Sequence, residues 1–255
     1  QTGIVILGLS ISLTKAFSIT GFYMPYISLL VIATFFLGIY IGKLIGLDKK
    51  LTILIASGAA ICGGTAMVAI APIIQAKPKD LLTAISIIFL LNALAIIIFP
   101  IIGLHLDLSQ DQFGAWAAMA IHDTSSVIGA AMVYGEEAVE SAATLKLGRT
   151  LWIIPLILYL SYKHQVKSST KFQLPIFVIF FILAIVIGTY IDFNSETMSF
   201  IKLISQSFLL LGLFCIGSQI DKKVLSNISI KPLQLALILW IIIIPSSFLL
   251  IQAII

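Results

Sequence analysis

Charge is scarce in this chain. Asp, Glu, Lys and Arg make up 10% of its 255 residues and hydrophobic residues 60%, with a mean hydropathy of +1.15. No water-soluble domain buries so large an apolar share, so a soluble fold is excluded. Cysteine is nearly missing: Cys62 and Cys215 both lie in apolar runs, which suggests neither a disulfide framework nor a metal site. Histidine is limited to His105, His122 and His164, and these supply no metal-ligand set. Nothing resembles a nucleophile elbow or a nucleotide-binding loop, so neither an enzyme nor an ATP-driven pump is expected of this chain alone, and no cofactor is implied. Short apolar–polar alternation is also absent, which removes a β-barrel. The net charge of +4 resides in short loops and gives no sign of nucleic-acid binding. Gln1 leads directly into an apolar run without an initiator Met or basic leader, so the chain is expected to be a fragment lacking N-terminal helices.

Long apolar runs dominate what remains. Nine can be marked out, over residues 3–17, 25–47, 51–76, 81–104, 113–134, 142–162, 174–191, 200–219 and 232–255. The expected fold is an all-α polytopic membrane protein, one transmembrane domain over residues 1–255, with short connections. Lysines set its orientation, because positive loops stay cytoplasmic. Lys43, Lys49 and Lys50, then Lys163, Lys167 and Lys171, then Lys222, Lys223 and Lys231 all fall on one side. Glu136, Glu137, Glu140, Asp192 and Glu196 fall on the other. Lys77 with Lys79, and Asp107 with Asp111, take the expected side only if the third and fifth runs re-enter and return. The alternative is that both cross fully as interrupted helices.

Those two runs carry the polar breaks. AIHDTSSVIGA, residues 120–130, puts five consecutive polar side chains inside an apolar stretch. Successive helix positions step by about 100°, so such a run cannot hide on one face. A carboxylate at membrane depth persists when it lines a cavity, pairs with a charge, or binds something. SGAAICGGTAMVAIAP, residues 57–72, contains a Gly63–Gly64 pair that permits an unwound stretch. Interruptions are expected near residues 62–65 and 122–125, meeting near the membrane midplane, since two polar breaks are cheapest in one cavity. Free amides at Gly63, Gly64 and Thr65 would hold an anionic group, and Thr124, Ser125 and Ser126 would add hydroxyls. His122 and Asp123 are candidates for proton or cation coupling, and Asp123 also suits a helix cap. Lys146 and Arg149, three residues apart, share a helix face. They would balance charge by pairing with Asp123 or drawing in an anion, unless they snorkel to the interface. Asn92 reads as interhelical glue, and Trp116, Trp152 and Trp240 as interface or packing aromatics. A faint echo links residues 5–17 with 213–225, as an inverted repeat would.

These motifs resemble a known family. ICGGTAMVAIAPIIQAKPKD (residues 61–80), FGAWAAMAIHDTSSVIGAA (113–131), KLGRTLWIIPLIL (146–158) and GLFCIGSQIDKKVL with KPLQLAL (212–237) are similar, in that order, to the YeiH-like family of bacterial inner-membrane proteins named as sulfate exporters. Gly64 stands where that family often has Ala, and Ala118 where it often has Gly. The resemblance implies a multi-pass secondary transporter of the bacterial inner membrane, distantly similar to sodium–bile acid and cation–proton antiporter folds. The expected substrate is a small anion, sulfate or an organosulfonate, moved with protons or sodium, and a homodimer is left open. An anion channel, or a membrane-embedded sensor or enzyme, is the competing expectation.

Overall fold

The computed structural model describes residues 2–164, 176–191, 193–218 and 229–254. Lys167, Lys171, Asp192, Lys222 and Lys223, with residues 219–225 of the echo, lie outside them. The described residues are all helix and connection, in twelve helices. They are α1 (Thr2–Gly8), α2 (Leu13–Leu44), α3 (Lys49–Ala60), α4 (Gly64–Ile70), α5 (Pro78–His105), α6 (Gln110–Ala120), α7 (Thr124–Tyr134), α8 (Glu136–Thr150), α9 (Ile153–Lys163), α10 (Ile176–Tyr190), α11 (Ser195–Ser218) and α12 (Ile230–Ile254).

Among the described residues, four helical stretches are long and apolar enough to cross a membrane: Leu13–Leu44, Pro78–His105, Glu136–Lys163 and Ile230–Ala253. The count of nine runs read from the sequence is not confirmed by these four. The first is no span of its own, because α1 ends at Gly8 and residues 13–17 already belong to α2. Two polar residues of the 14–24 stretch have tertiary partners: Lys15 pairs with Glu140 at 2.8 Å, and Thr20 packs near Gly148. Pro25 sits inside α2, as prolines can where neighbouring helices support the freed backbone. The third and fifth runs become the pairs α3–α4 and α6–α7.

Both pairs fold as helical hairpins. Lys50 Nζ at the start of α3 donates to the Gln75 carbonyl beyond α4 at 2.7 Å, so the chain returns to the face it left. Tyr134 Oη at the end of α7 donates to the Leu108 carbonyl just before α6 at 2.6 Å, and the Phe113 and Tyr134 rings stack at 3.9 Å. α5 connects one base to the other, so the two bases lie at opposite ends of that helix. Lys43, Lys49, Lys50, Lys77 and Lys79 mark the first face. Asp107, Asp111, Glu136, Glu137 and Glu140 mark the second, where Lys202 pairs with Glu136 at 2.8 Å. The 12-residue α3 rises about 18 Å and the 11-residue α6 about 16 Å, each near half of a ~30 Å hydrocarbon core. Neither half-helix is thus long enough to span such a core alone.

The turns leading into the two hairpins repeat each other at a constant offset of 61 residues. Gly42 and Gly103 each accept a bond from the leucine five residues on, Leu47 at 2.9 Å and Leu108 at 3.1 Å. Gly46 and Asp107 follow at positive φ, 68° and 48°. Asp48 and Ser109 then cap α3 and α6. Gly42 lies hard against Thr52, and Gly103 hard against Phe113. The sequence echo between 5–17 and 213–225 is a different pairing and is not this repeat. α3 is buried from Leu51 to Ala60 and α6 from Phe113 to Ala120, sheathed by α2, α5, α8 and α12. Non-helical backbone at membrane depth requires such a sheath. Trp116 belongs to this core rather than to an interface: it is 1% exposed and stacks on Phe99 at 4.5 Å.

Candidate functional site

The half-helices α3 and α6 both stop at the tips, leaving carbonyl oxygens without intrahelical partners. α8 supplies their partners. Its small residues let it approach closely: a Cβ on Gly114 of α6 would collide with the Ala138 carbonyl. Arg149 Nε donates to the Ala60 carbonyl at 2.8 Å and Nη2 to Ala59 at 2.7 Å. Its Nη1 donates to Met119 at 2.6 Å and Ala118 at 3.1 Å. One guanidinium therefore ties the C-terminal end of α3 to that of α6, a task its rigid fork suits. Lys146, on the same face one turn earlier, donates to the Ile121 carbonyl at 2.6 Å and to Ala118 at 3.5 Å. Positive groups at helix C-termini complement the macrodipole. Both side chains are fully buried, so neither snorkels. Their hydrogen-bond partners are backbone carbonyls and not the Asp123 carboxylate, and among the described residues neither forms a salt bridge.

The returning arms begin at the same depth. Gly63 is the N-cap of α4 at φ 61° and ψ −125°, with no side-chain cap bond. Asp123 caps α7, its Oδ2 accepting from Ser126 N at 3.2 Å and Ser126 Oγ at 3.3 Å. The tips touch: a Cβ on Gly63 would stand 3.4 Å from Cα and Cβ of Asp123 and from Ile88. Gly64 faces Phe89 of α5. Gly64, Thr65, Asp123 and Ser125 keep partial exposure, while Gly63, His122, Thr124 and Ser126 are buried. Thus the residues singled out at the two breaks adjoin, with Lys146 and Arg149 behind them.

One neighbour was underrated in the sequence. Asn92 of α5 is fully buried, and its Oδ1 accepts from His122 N at 3.3 Å, so it does tie α5 to the second tip. Its Nδ2, however, has no partner, and neither has either ring nitrogen of His122. The Ala59 carbonyl lies near that ring but outside hydrogen-bond geometry. The signal was depth: Asn92 lies midway along α5, level with both tips. A separate cavity of about 160 Å³ lies on the acidic face between α1, α7, α8 and α11, bordered by Met132, Glu136, Glu140 and Lys202. Met132 is about 10 Å along α7 from Ser125. Among the described residues no group of three or more His, Cys, Asp or Glu side chains could hold a metal ion.

Comparison with known proteins gives a consistent picture. The family described as "Conserved hypothetical protein 698" matches residues 1–236. A UPF0324 membrane protein of Porphyromonas gingivalis is 41% identical over 246 residues, covering 95% of this chain and 74% of its own. One from Bacteroides thetaiotaomicron is 41% identical over 245 residues, with coverage of 95% and 74%. One from Vibrio parahaemolyticus is 40% identical over 248 residues, with coverage of 96% and 80%. No solved structure matches.

Proposed function

The chain belongs to the family described as Conserved hypothetical protein 698, the same family that its motifs resemble, and within it we propose that the protein is a secondary active transporter of a small anion. The observation carrying this reading is the meeting of the two hairpin tips at Gly63 and Asp123, with the buried Lys146 and Arg149 bonded to the ends of α3 and α6 behind them. Inverted repeats meeting at mid-depth are the architecture of alternating access. Lys146, Arg149 and Asp123 together leave one positive charge, which a monoanion would neutralise. Amides and hydroxyls at Gly63, Gly64, Thr65, Thr124, Ser125 and Ser126 would hold its oxygens. His122 and Asp123 would couple the movement to protons or sodium. The basic face lies in the cytoplasm of a bacterial inner membrane, by the positive-inside rule. Sulfate and organosulfonates are the substrates to try first.

The test is counterflow in proteoliposomes against a panel of labelled anions, with imposed pH and sodium gradients. Saturable exchange is expected, and flux that never saturates would indicate a channel instead. Asp123→Asn keeps a capping oxygen but removes the charge, so it should abolish coupled uptake while the protein still folds. Normal coupled transport by Asp123→Asn between about pH 5 and 8, spanning the range in which imidazole titrates, would reduce Asp123 to a helix cap.

A further inference from the structure

We infer, resting on the anion-transport reading, that the cavity on the acidic face is the mouth of the substrate passage to the hairpin tips, and that the Lys202–Glu136 pair is its gate. The cavity, about 160 Å³, lies where α8 and α11 face each other across a gap. α8 packs along α2, α6 and α7, and α11 along α1 and α7. Lys202 Nζ reaches Glu136 Oε2 at 2.8 Å, so this ion pair spans the gap. It sits at the rim, where the Lys202 side chain is 32% exposed and that of Glu136 66%. Val139, one turn further along α8, and Leu209, two turns further along α11, are buried and form the floor.

Two walls of the cavity run on to the tips. Seven residues make nearly two whole helical turns, so Met132 shares a face of α7 with Ser125, and Val139 a face of α8 with Lys146. Each pair is separated by about 10 Å along its helix. Between them those faces carry Ile128 and Gly129 on α7 and Ala142 and Ala143 on α8, all buried. Three of these four are small, so little side chain stands between the cavity and the tip site.

The charges at the rim suit an anion. Glu140 is bonded to Lys15 of α2 at 2.8 Å, so each lining carboxylate has its own cation while the gate is closed. Glu136 is the more exposed partner, so on opening its carboxylate turns into water and the Lys202 ammonium stays at the cavity. There it stands with the Gln206 amide, one turn on along α11, and the Ser10 hydroxyl in the break between α1 and α2. One unmatched cation beside two hydrogen-bonding groups draws in a small anion. An ion pair this exposed is weak, so it yields readily to that exchange.

Thiol modification of Val139→Cys in the full chain tests the gate, in a Cys215→Ser background and against the same background without Val139→Cys. A small neutral methanethiosulfonate reports opening alone. Glu136→Gln and Lys202→Gln should each speed it by about two- to fivefold, the reach of a partly exposed ion pair. The reversed pair, Glu136→Lys with Lys202→Glu, should return the rate towards the parent's. The rate of an anionic sulfonatoethyl reagent, relative to the neutral one, should rise in Glu136→Gln and fall in Lys202→Gln. Neutral rates unchanged by both substitutions would overturn the gate, and an unmoved anionic-to-neutral ratio would overturn the role of Lys202. Met132→Cys serves as reporter should Val139→Cys fail to fold. Bridging Glu136→Cys to Lys202→Cys with a short bismaleimide then tests the passage, through counterflow of labelled sulfate and methanesulfonate. The bridge should stop whatever exchange the unbridged protein shows. Undiminished exchange across the bridge would overturn the inference while leaving the transport reading intact, and a parent that exchanges no anion would overturn both.

Discussion

Replacing Arg149 should separate the two hairpins. Its guanidinium makes four bonds, two to the end of α3 and two to the end of α6. Methionine fills much of the same volume but donates nothing. The Ala118 carbonyl would keep its longer contact with Lys146 at 3.5 Å, whereas those of Ala59, Ala60 and Met119 would be left bare. Each buried carbonyl without a partner costs about 1–3 kcal/mol, so Arg149→Met should cost about 3–9 kcal/mol. That is a large part of the ~5–15 kcal/mol that holds a typical protein folded. Arg149→Lys should cost about half as much, because one ammonium reaches one helix end and not both.

Thermal unfolding in detergent measures the first effect. With about 2–4 °C per kcal/mol for a chain of this size, Arg149→Met should lower Tm by at least about 6 °C. Cys62, fully buried at the first tip, reports the second effect. In a Cys215→Ser background it should be inert to maleimide, and in Arg149→Met it should label readily. A Tm within about 2 °C of the parent and an unchanged Cys62 would refute the bridging role.

Further consequences concern the backbone and the hairpin geometry. Gly63→Ala should destabilise by about 1–3 kcal/mol through its φ of 61° and not through crowding, since the new Cβ would find 3.4 Å of room. Gly64→Ala, with 3.5 Å to Phe89 and no positive φ, should change stability by less than about 0.5 kcal/mol and serves as the control. Cysteines placed at Lys77 and Asp111 should label from opposite faces, Lys77 from the face of Lys49 and Asp111 from that of Glu136; labelling of both from one face would contradict the paired hairpins. Gly103→Ala would drive a Cβ into Phe113, which also stacks on Tyr134, and should cost about 1–3 kcal/mol by overpacking, read as a lowered Tm.

Much of this was legible in the sequence. The HDTSS and GGT breaks stand out because polar and glycine runs are conspicuous in apolar surroundings, and the structure interrupts its helices at residues 61–63 and 121–123. The signs of Lys77, Lys79, Asp107 and Asp111 hinted at re-entry but could not decide it, since charge bias in short loops is weak. Contacts such as Lys50 to Gln75 close each pair into a hairpin, and they are long-range facts. The start of α2 falls between two of the runs because Lys15 and Thr20, polar in sequence, meet Glu140 and Gly148 only in the folded chain.

The roles of Lys146 and Arg149 were hidden for a more general reason. A cation at membrane depth invites a search for a carboxylate, and Asp123 was the available one. The hydrogen-bond partners turned out to be main-chain oxygens of Ala59, Ala60, Ala118, Met119 and Ile121, and every residue has such an oxygen. Only a broken helix makes those oxygens into acceptors, so the cations become interpretable once the breaks are placed in space. The same holds for the repeat at offset 61, which rests on two glycines, two cap residues and a turn rather than on matching side chains. If the hairpins exchange roles during transport, Arg149 is bonded to both and must move with both or release one. The release of a single helix end, two hydrogen bonds, is the smallest motion that would part the tips at Gly63 and Asp123.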